Sequence, residues 1–194
     1  DEQWRHALVL FDKAAATGQS KGTLFNFAIS TCGRSSQWQH ALTLLAQSEF
    51  ARFATDVVRH SAAISACEKG SQAGYAMHLL REMPLKRLVP NVVSYNATIS
   101  ALEKRGRWVG ALGLLEEMQQ THSKPDVVTF SACIGACARR GNWEVVFALL
   151  SSMHHARVSP NVVTYGATLD ACDKGNAWIE AMMILDKMHA ERVD

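Results

Sequence analysis

A column of five cations could bind an extended, negatively charged ligand. The cations stand 35 residues apart along the chain, at Arg34, Lys69, Lys104, Arg139 and Lys174. A regular row of Lys and Arg can follow the phosphates of a linear polyanion. A solvated positive edge is the alternative, but recurrence of the charge in repeat after repeat favours the polyanion. The net charge of the chain is only +2, so this prediction depends on where the charges lie and not on their sum.

A β-branched residue recurs at the same interval near the start of each putative helix. The five positions are Thr23, Val58, Val93, Val128 and Val163. On a helical wheel, Val128 falls with Ser131 and Arg139 on a stripe that lies away from the apolar stripe of Phe130 and Ile134. Either these side chains pack against the preceding hairpin or they contact a ligand. The residue pattern alone does not choose between the two.

The cysteines and histidines form no recognisable catalytic or metal-binding motif. Four cysteines recur at one position of the repeat, as small core residues would: Cys32, Cys67, Cys137 and Cys172. Cys133 and Cys137 are spaced to share a helix face, but two thiols without converging histidines make a poor zinc site. The sequence also lacks a glycine-rich phosphate loop. We therefore expect no catalytic residue, no metal site, no cofactor and no enzymatic activity.

Composition argues against a membrane protein. The chain is 48% hydrophobic, but no apolar run approaches the ~20 residues that a membrane-spanning helix needs. The first residues, Asp1 to Ala7, carry no basic region followed by an apolar block, so no targeting segment is visible. We expect a monomer, with self-association through uncapped ends of a repeat array as the alternative.

An internal repeat of 35 residues positions all of these side chains. Three residue types show the period independently: Pro90, Pro125 and Pro160; Trp108, Trp143 and Trp178; and Met83, Met118, Met153 and Met188. The period divides the chain into a partial repeat at 1–21 that holds a second helix only, a degenerate repeat at 22–56, repeats at 57–91, 92–126 and 127–161, and a truncated repeat at 162–194.

Each repeat is predicted to be a helical hairpin. Apolar residues recur at helical spacing in both halves of the repeat, at Val127, Phe130, Ile134 and Cys137, and again at Trp143, Val146, Phe147, Leu150 and Met153. Gly141 and Asn142 mark the junction between the two helices. Because one hairpin cannot bury both apolar stripes alone, neighbouring hairpins must stack. The predicted fold is therefore all-α, a single solenoid domain.

The repeat resembles the pentatricopeptide repeat family. The resemblance rests on the opening Val-Val-Thr-Tyr at 162–165, the run Ala-Leu-Gly-Leu-Leu-Glu-Glu-Met at 111–118, and the Pro-Asp or Pro-Asn ending. Tetratricopeptide repeats, in contrast, have a period of about 34 residues. The resemblance covers nearly the whole chain and implies a right-handed α-solenoid superhelix of stacked antiparallel helical hairpins, with single-stranded RNA in its inner groove.

The chain departs from the family pattern in the turn between repeats. The family commonly has glycine three residues before the proline, and this chain has a second row of cations there: Arg52, Arg87, His122, Arg157 and Arg192. We expect these turns to be looser than the family norm. Solvated loop arginines are the simpler interpretation of this row.

The family's reading residues can be carried over position by position. In the family, the residue after the aromatic and the residue after the closing proline read one base together. The resemblance implies the pairs Asn26 with Asp56, Ser61 with Asn91, Asn96 with Asp126, and Ser131 with Asn161. By the family's code these pairs read 5′-UAUA-3′. Gly166 holds the fifth reading position and has no side chain to read with.

The resemblance also implies roles for the other two sets of residues. The β-branched residues Thr23, Val58, Val93, Val128 and Val163 would sandwich bases, and the cation column would contact phosphates. The implied function is sequence-specific RNA binding in a mitochondrion or plastid, for RNA processing, stability, editing or translation. One alternative is a tetratricopeptide-type protein scaffold, which needs neither reading pairs nor a cation column. The other is the substrate-positioning part of a larger RNA-processing enzyme.

Overall fold

A computed structural model of the chain describes residues 4, 5, 9, 21–51, 56–121 and 123–191. Most of the partial repeat predicted at 1–21 lies outside this part, as do Arg52, His122 and Arg192. The described part holds ten α-helices and no strand. They are α1 (Lys21–Arg34), α2 (Trp38–Phe50), α3 (Val57–Lys69), α4 (Ala73–Leu85), α5 (Val92–Lys104), α6 (Trp108–Gln120), α7 (Val127–Ala138), α8 (Trp143–His155), α9 (Val162–Lys174) and α10 (Trp178–Glu191).

Side-chain caps start the first helix of the repeats. The Asp56 carboxylate accepts the backbone N–H of Val58 at 2.9 Å before α3. Asp126 with Thr129, and Asn161 with Thr164, form capping boxes at α7 and α9. Such caps satisfy backbone donors that a helix start leaves without partners. The residues Asp56, Asp126 and Asn161 therefore have a structural role besides any reading role.

A left-handed residue turns the chain between the two helices of each repeat. The same position is taken by Ser36, Ser71, Gly106, Gly141 and Asn176, with φ between 55° and 69°. This conformation is the usual way to end a helix sharply. The hairpin junction predicted from Gly141 and Asn142 is thus a short, defined turn.

The turns at Arg87 and Arg157 are not looser than a glycine turn, contrary to the expectation from the sequence. Arg87 and Arg157 adopt the left-handed conformation that glycine favours, with φ of 59° and 57°. Both turns are closed by hydrogen bonds of 2.9 Å, from Leu88 N to Met83 O and from Val158 N to Met153 O. A non-glycine residue in this conformation costs roughly 1–2 kcal/mol. The turn therefore keeps its geometry at the expense of backbone strain.

The chain divides into two compact units, Asp1–Ala101 and Leu102–Asp194. In the first unit, α1 packs against α2 and α3, and α3 packs against α4. Fully buried Ile29, Ile64 and Met83 belong to its core. The first helices of two successive repeats are therefore direct neighbours in this unit.

The second unit repeats the same arrangement. Helix α7 packs against α6, α8 and α9, and α9 packs against α8 and α10. Phe130, Tyr165 and Met153 are 0% exposed in its core. Within this unit too, the first helices α7 and α9 lie side by side, which places the outward stripe of one next to that of the other.

A tight contact between a glycine and a tryptophan provides a test of this packing. A Cβ added at Gly175 would lie 2.4 Å from Cδ1 of Trp143 and 2.8 Å from the carbonyl oxygen of Gly141. Since φ of Gly175 is −90°, alanine would suffer from the contact and not from the backbone. We expect Gly175→Ala to lower the free energy of unfolding by about 1–3 kcal/mol, measured by urea denaturation.

Gly113 is the matched control for this substitution. It lies inside α6, and a Cβ added there meets nothing within 4 Å. Gly113→Ala should therefore raise stability by about 0.5–1 kcal/mol. Stabilisation by both alanines would show that Trp143 does not press on Gly175.

Candidate nucleic-acid interface

A cavity of about 330 Å³ in the first unit brings together residues of all three predicted classes. It is lined by the β-branched Val58 and Val93, the reading residues Ser61 and Asn91, and the cations Arg34 and Lys69. These side chains come from α1, α3 and the start of α5. Because first helices pack side by side, residues that are 35 positions apart in the sequence line the same cavity.

The predicted base-sandwiching residues are all exposed. Val58, Val93, Val128 and Val163 have 60%, 56%, 51% and 62% of their surface accessible, and Thr23 is exposed as well. Packing against a neighbouring hairpin therefore does not account for these β-branched residues. Their surfaces are available to a ligand, and the sandwiching role stays a prediction.

The pair Ser61 and Asn91 is joined by a third residue, Ser94. The hydroxyls of Ser61 and Ser94 are 2.8 Å apart, and Ser94 donates to Oδ1 of Asn91 at 3.0 Å. The backbone N–H of Ser94 donates to the same oxygen at 2.9 Å. Ser61 is 5% exposed, and Asn91 is exposed. The structure thus brings this predicted pair together at the wall of the cavity.

The pair Ser131 and Asn161 in the second unit is built in the same way. Ser131 Oγ lies 2.8 Å from Oγ1 of Thr164, which donates to Oδ1 of Asn161 at 2.9 Å. Thr164 and Ser94 are equivalent residues, each the third of its helix, and both are 0% exposed. A buried hydroxyl between the two reading residues is therefore a shared feature of these pairs.

The pair Asn26 and Asp56 is in direct contact. Nδ2 of Asn26 donates to Oδ2 of Asp56 at 2.7 Å, and Oδ1 of Asn26 accepts from Nε of Arg59 at 2.9 Å. Arg59 is 4% exposed and also donates to Oγ of Ser48 at 3.3 Å. Sequence reasoning missed Arg59. Its signal is an arginine at the repeat position that elsewhere holds Ser94, Thr129 or Thr164.

The remaining predicted reading positions, Asn96, Asp126 and Gly166, differ in their exposure and in their side chains. Asn96 is half-buried on α5, and Asp126 caps α7. Their pairing stays a prediction, because they belong to different compact units. Gly166 is exposed on α9, and a Cβ added there meets nothing within 4 Å. The fifth reading position thus has room for a side chain that it does not carry.

The five predicted phosphate-contacting cations are all exposed and lie at the carboxyl ends of first helices. A cation there also interacts favourably with the helix dipole. Arg34 and Lys174 contact their own helices: Nη2 of Arg34 donates to Oγ1 of Thr31 at 3.3 Å, and Lys174 pairs with Asp170. An exposed ion pair such as Lys174 with Asp170 contributes at most about 1 kcal/mol to stability, so it can open for a phosphate.

Burial raises the pKa of all five cysteine thiols. All five are buried, and desolvation raises the pKa of Cys67 and of Cys137 to about 11. Since the thiolate is the nucleophile and the metal ligand, these thiols are poor at both roles near neutral pH. In the described part of the chain, no group of three His, Cys, Asp or Glu side chains could hold a metal ion. No described helix is long and apolar enough to cross a membrane.

Two models of one family match most of the sequence. The model described as the PPR repeat family matches residues 90–139 and 125–174, and the one described as the pentatricopeptide repeat domain matches residues 44–105. Together they cover 44–174, which is well over half of the 194 residues. None of the curated proteins matches the chain in sequence.

Solved structures of pentatricopeptide repeat proteins share the fold. PPR10 in complex with an 18-nt psaJ RNA element is 26% identical, with a TM-score of 0.82 over 98% of this chain and 28% of that one. PPR10 from maize is 26% identical, with a TM-score of 0.76 over 96% and 27%. The chain thus spans little more than a quarter of the length of PPR10.

A more distant neighbour has the same fold. The PPR domain of Arabidopsis thaliana protein-only RNase P 1, in complex with tRNA, is 12% identical, with a TM-score of 0.77 over 89% of this chain and 91% of that one. At this identity the likeness shows the fold alone. The predicted fold class, an all-α helical solenoid, is confirmed.

Proposed function

Because the chain belongs to the pentatricopeptide repeat family, we propose that it binds single-stranded RNA by sequence, at about one base per repeat. RNA binding itself is supported by the family and by PPR10, whose structure holds an RNA element. The described residues bind and position RNA without catalysing a reaction on it. On the family resemblance alone, we propose a mitochondrial or plastid setting and a role in RNA processing, stability, editing or translation.

One observation carries the proposal, the cavity beside Ser61 and Asn91. A base in this cavity would lie between the exposed Val58 and Val93, with its edge towards the reading pair. The cations Arg34 and Lys69 line the same cavity and suit the flanking phosphates. A peptide-binding scaffold has no need of this combination of β-branched, paired polar and cationic side chains.

The base assigned to each repeat follows from its reading pair. We propose uracil for Asn26 with Asp56 and for Asn96 with Asp126, and adenine for Ser61 with Asn91 and for Ser131 with Asn161. Gly166 leaves the fifth base unread. The preferred RNA is therefore 5′-UAUA-3′, and binding of fluorescent UAUA should be tighter than binding of GCGC or of the matching DNA. The protein-scaffold function would be favoured instead if none of these nucleic acids bound at moderate salt.

Exchanging one reading pair tests the register of the proposal. Ser61→Asn combined with Asn91→Asp converts the second pair to the residues of the first. Because aspartate caps a helix as well as asparagine does, α5 should keep its start. We expect the preferred second base to change from adenine to uracil, with a mismatch effect of about 1–3 kcal/mol on the scale of DNA readers.

The measurement is a fluorescence anisotropy titration of UAUA against UUUA for both proteins. Base preference at the fourth position, read by Ser131 and Asn161, is the internal control because the exchange does not touch it. An unchanged second-base preference, with the fourth-base preference intact, would contradict the assignment of Ser61 and Asn91.

A further inference from the structure

A buried hydroxyl behind each Ser–Asn pair lies within hydrogen-bond distance of both residues of the pair. In the second unit, Oγ1 of Thr164 donates to Oδ1 of Asn161 at 2.9 Å. With that proton assigned to Asn161, the 2.8 Å contact with Ser131 has Ser131 as its donor, since a hydroxyl carries one proton. Ser131 therefore has only lone pairs left for a ligand.

Asn161 is oriented by the same residue. Its Oδ1 accepts both the backbone N–H and the hydroxyl of Thr164, at 2.9 Å each. An oxygen must occupy this place because a backbone N–H can only donate, which leaves the amide nitrogen pointing the other way. Within the described residues, Nδ2 of Asn161 makes no hydrogen bond. The pair thus presents an acceptor from Ser131 and a donor from Asn161.

The first unit contains the same arrangement independently. Ser94 is assigned as the donor to Oδ1 of Asn91 at 3.0 Å, which makes Ser61 the donor across the 2.8 Å contact. Ser61 Oγ also lies 3.4 Å from Oδ1 of Asn91, a second acceptor. Donation to this oxygen would likewise direct the Ser61 proton away from a ligand. In both units, therefore, the serine of the pair offers an acceptor to a ligand and the asparagine offers a donor.

We propose that, behind a Ser–Asn pair, the third residue of the helix, Ser94 or Thr164, sets this polarity and thereby selects the class of base. An acceptor beside a donor complements an amino group beside an unprotonated ring nitrogen, which is the edge of adenine and of cytosine. Guanine and uracil present a carbonyl beside a ring N–H, which is the reverse. The proposal rests on the proposed function and makes Ser94 and Thr164 positioning residues, since neither reaches the base.

Arg59 occupies the equivalent position behind the Asn26–Asp56 pair and reverses the polarity. A guanidinium can only donate, so it holds the carbonyl oxygen of Asn26 at 2.9 Å, while the Asp56 carboxylate takes one N–H of the amide at 2.7 Å. What remains for a ligand is the second N–H of Asn26 and the lone pairs of Asp56. A donor beside an acceptor complements the carbonyl and ring N–H of uracil. The bases proposed for these pairs therefore agree with their hydrogen-bond directions.

Removing one hydroxyl tests the proposal. In Thr164→Val, Ser131 loses its acceptor and can turn its proton to the base, so it no longer discriminates an amino group from a carbonyl. The helix cap survives, because Asn161 still accepts the backbone N–H of residue 164. We expect the ratio of affinities for UAUA over UAUG to fall roughly fivefold or more, within the range of a bidentate base contact. These two RNAs differ only at the fourth base, and both present a purine there.

Three further variants separate polarity from stability. Thr164→Ser keeps the hydroxyl and should keep the ratio. Thr168→Val removes a buried hydroxyl from the same helix, one that donates to the carbonyl of Thr164 at 2.9 Å, and should also keep the ratio. Ser94→Ala should reduce discrimination at the second base only, measured with UAUA against UGUA.

The outcomes distinguish this inference from the function on which it rests. A wild-type protein without preference at the fourth base overturns base reading, and the inference with it. A wild-type preference for adenine that persists undiminished in Thr164→Val overturns the inference alone. Equal losses in Thr164→Val and Thr168→Val also overturn it, because they indicate general loosening of α9. A loss confined to Thr164→Val, with rescue by Thr164→Ser, supports it.

Discussion

Replacing Arg34 and Lys69 together by glutamine should weaken binding to every RNA sequence by roughly 25-fold at about 0.1 M salt. Both cations are exposed and line the cavity that holds Ser61 and Asn91. Each phosphate contact on a single strand contributes about 0.7 to the slope of log K against log salt, which is about fivefold in affinity at 0.1 M. If all five cations contact phosphate, the slope should change from about −3.5 to about −2.1.

A charge-matched double variant is the control for the change in net charge. Arg81 and Lys187 belong to the second helices α4 and α10, outside the cation column. Replacing both by glutamine changes the net charge by the same amount and should leave the salt slope unchanged. Equal weakening by the two double variants would show that total charge and not the column attracts the RNA. Base preference should survive in both, because the reading pairs are untouched.

Replacing Phe130 by alanine should lower the free energy of unfolding by about 3–5 kcal/mol. Phe130 is 0% exposed and lies in the middle of the packed helices of the second unit. Removal of the ring takes away buried apolar surface and leaves a cavity that the neighbouring helices fill only in part. Urea denaturation followed by circular dichroism should show the loss as a lower midpoint.

Val128 is the control two residues earlier in the same helix. It is 51% exposed, so Val128→Ala should change stability by less than about 0.5 kcal/mol. The same substitution removes a proposed base contact and should weaken RNA binding. The two variants therefore separate the inner face of α7 from its outer face. Comparable destabilisation by both would mean that Val128 belongs to the core, and its sandwiching role would then be wrong.

The prediction of the hairpins succeeded because it depended on local physics. Helical spacing of Phe130 and Ile134, and capping residues such as Asp126, act within a few positions of the chain. The residues of the predicted apolar stripes are not all equally buried, since Val127 and Trp143 are only half-buried. The expectation of loose turns at Arg87 and Arg157 was wrong, because the hydrogen bonds that close a turn outweigh the modest strain of a left-handed arginine.

The sequence by itself determined the repeat, the all-α fold and the positions of the proposed reading pairs, because a periodic pattern marks equivalent residues whatever surrounds them. It could not show that Arg59 donates to Asn26, 33 positions earlier, or that Ser131 and Thr164 are hydrogen-bonded. Only the packing of one first helix against the next decided those contacts. The direction of a buried hydrogen bond depends on which donors and acceptors meet, and the partners here come from different repeats.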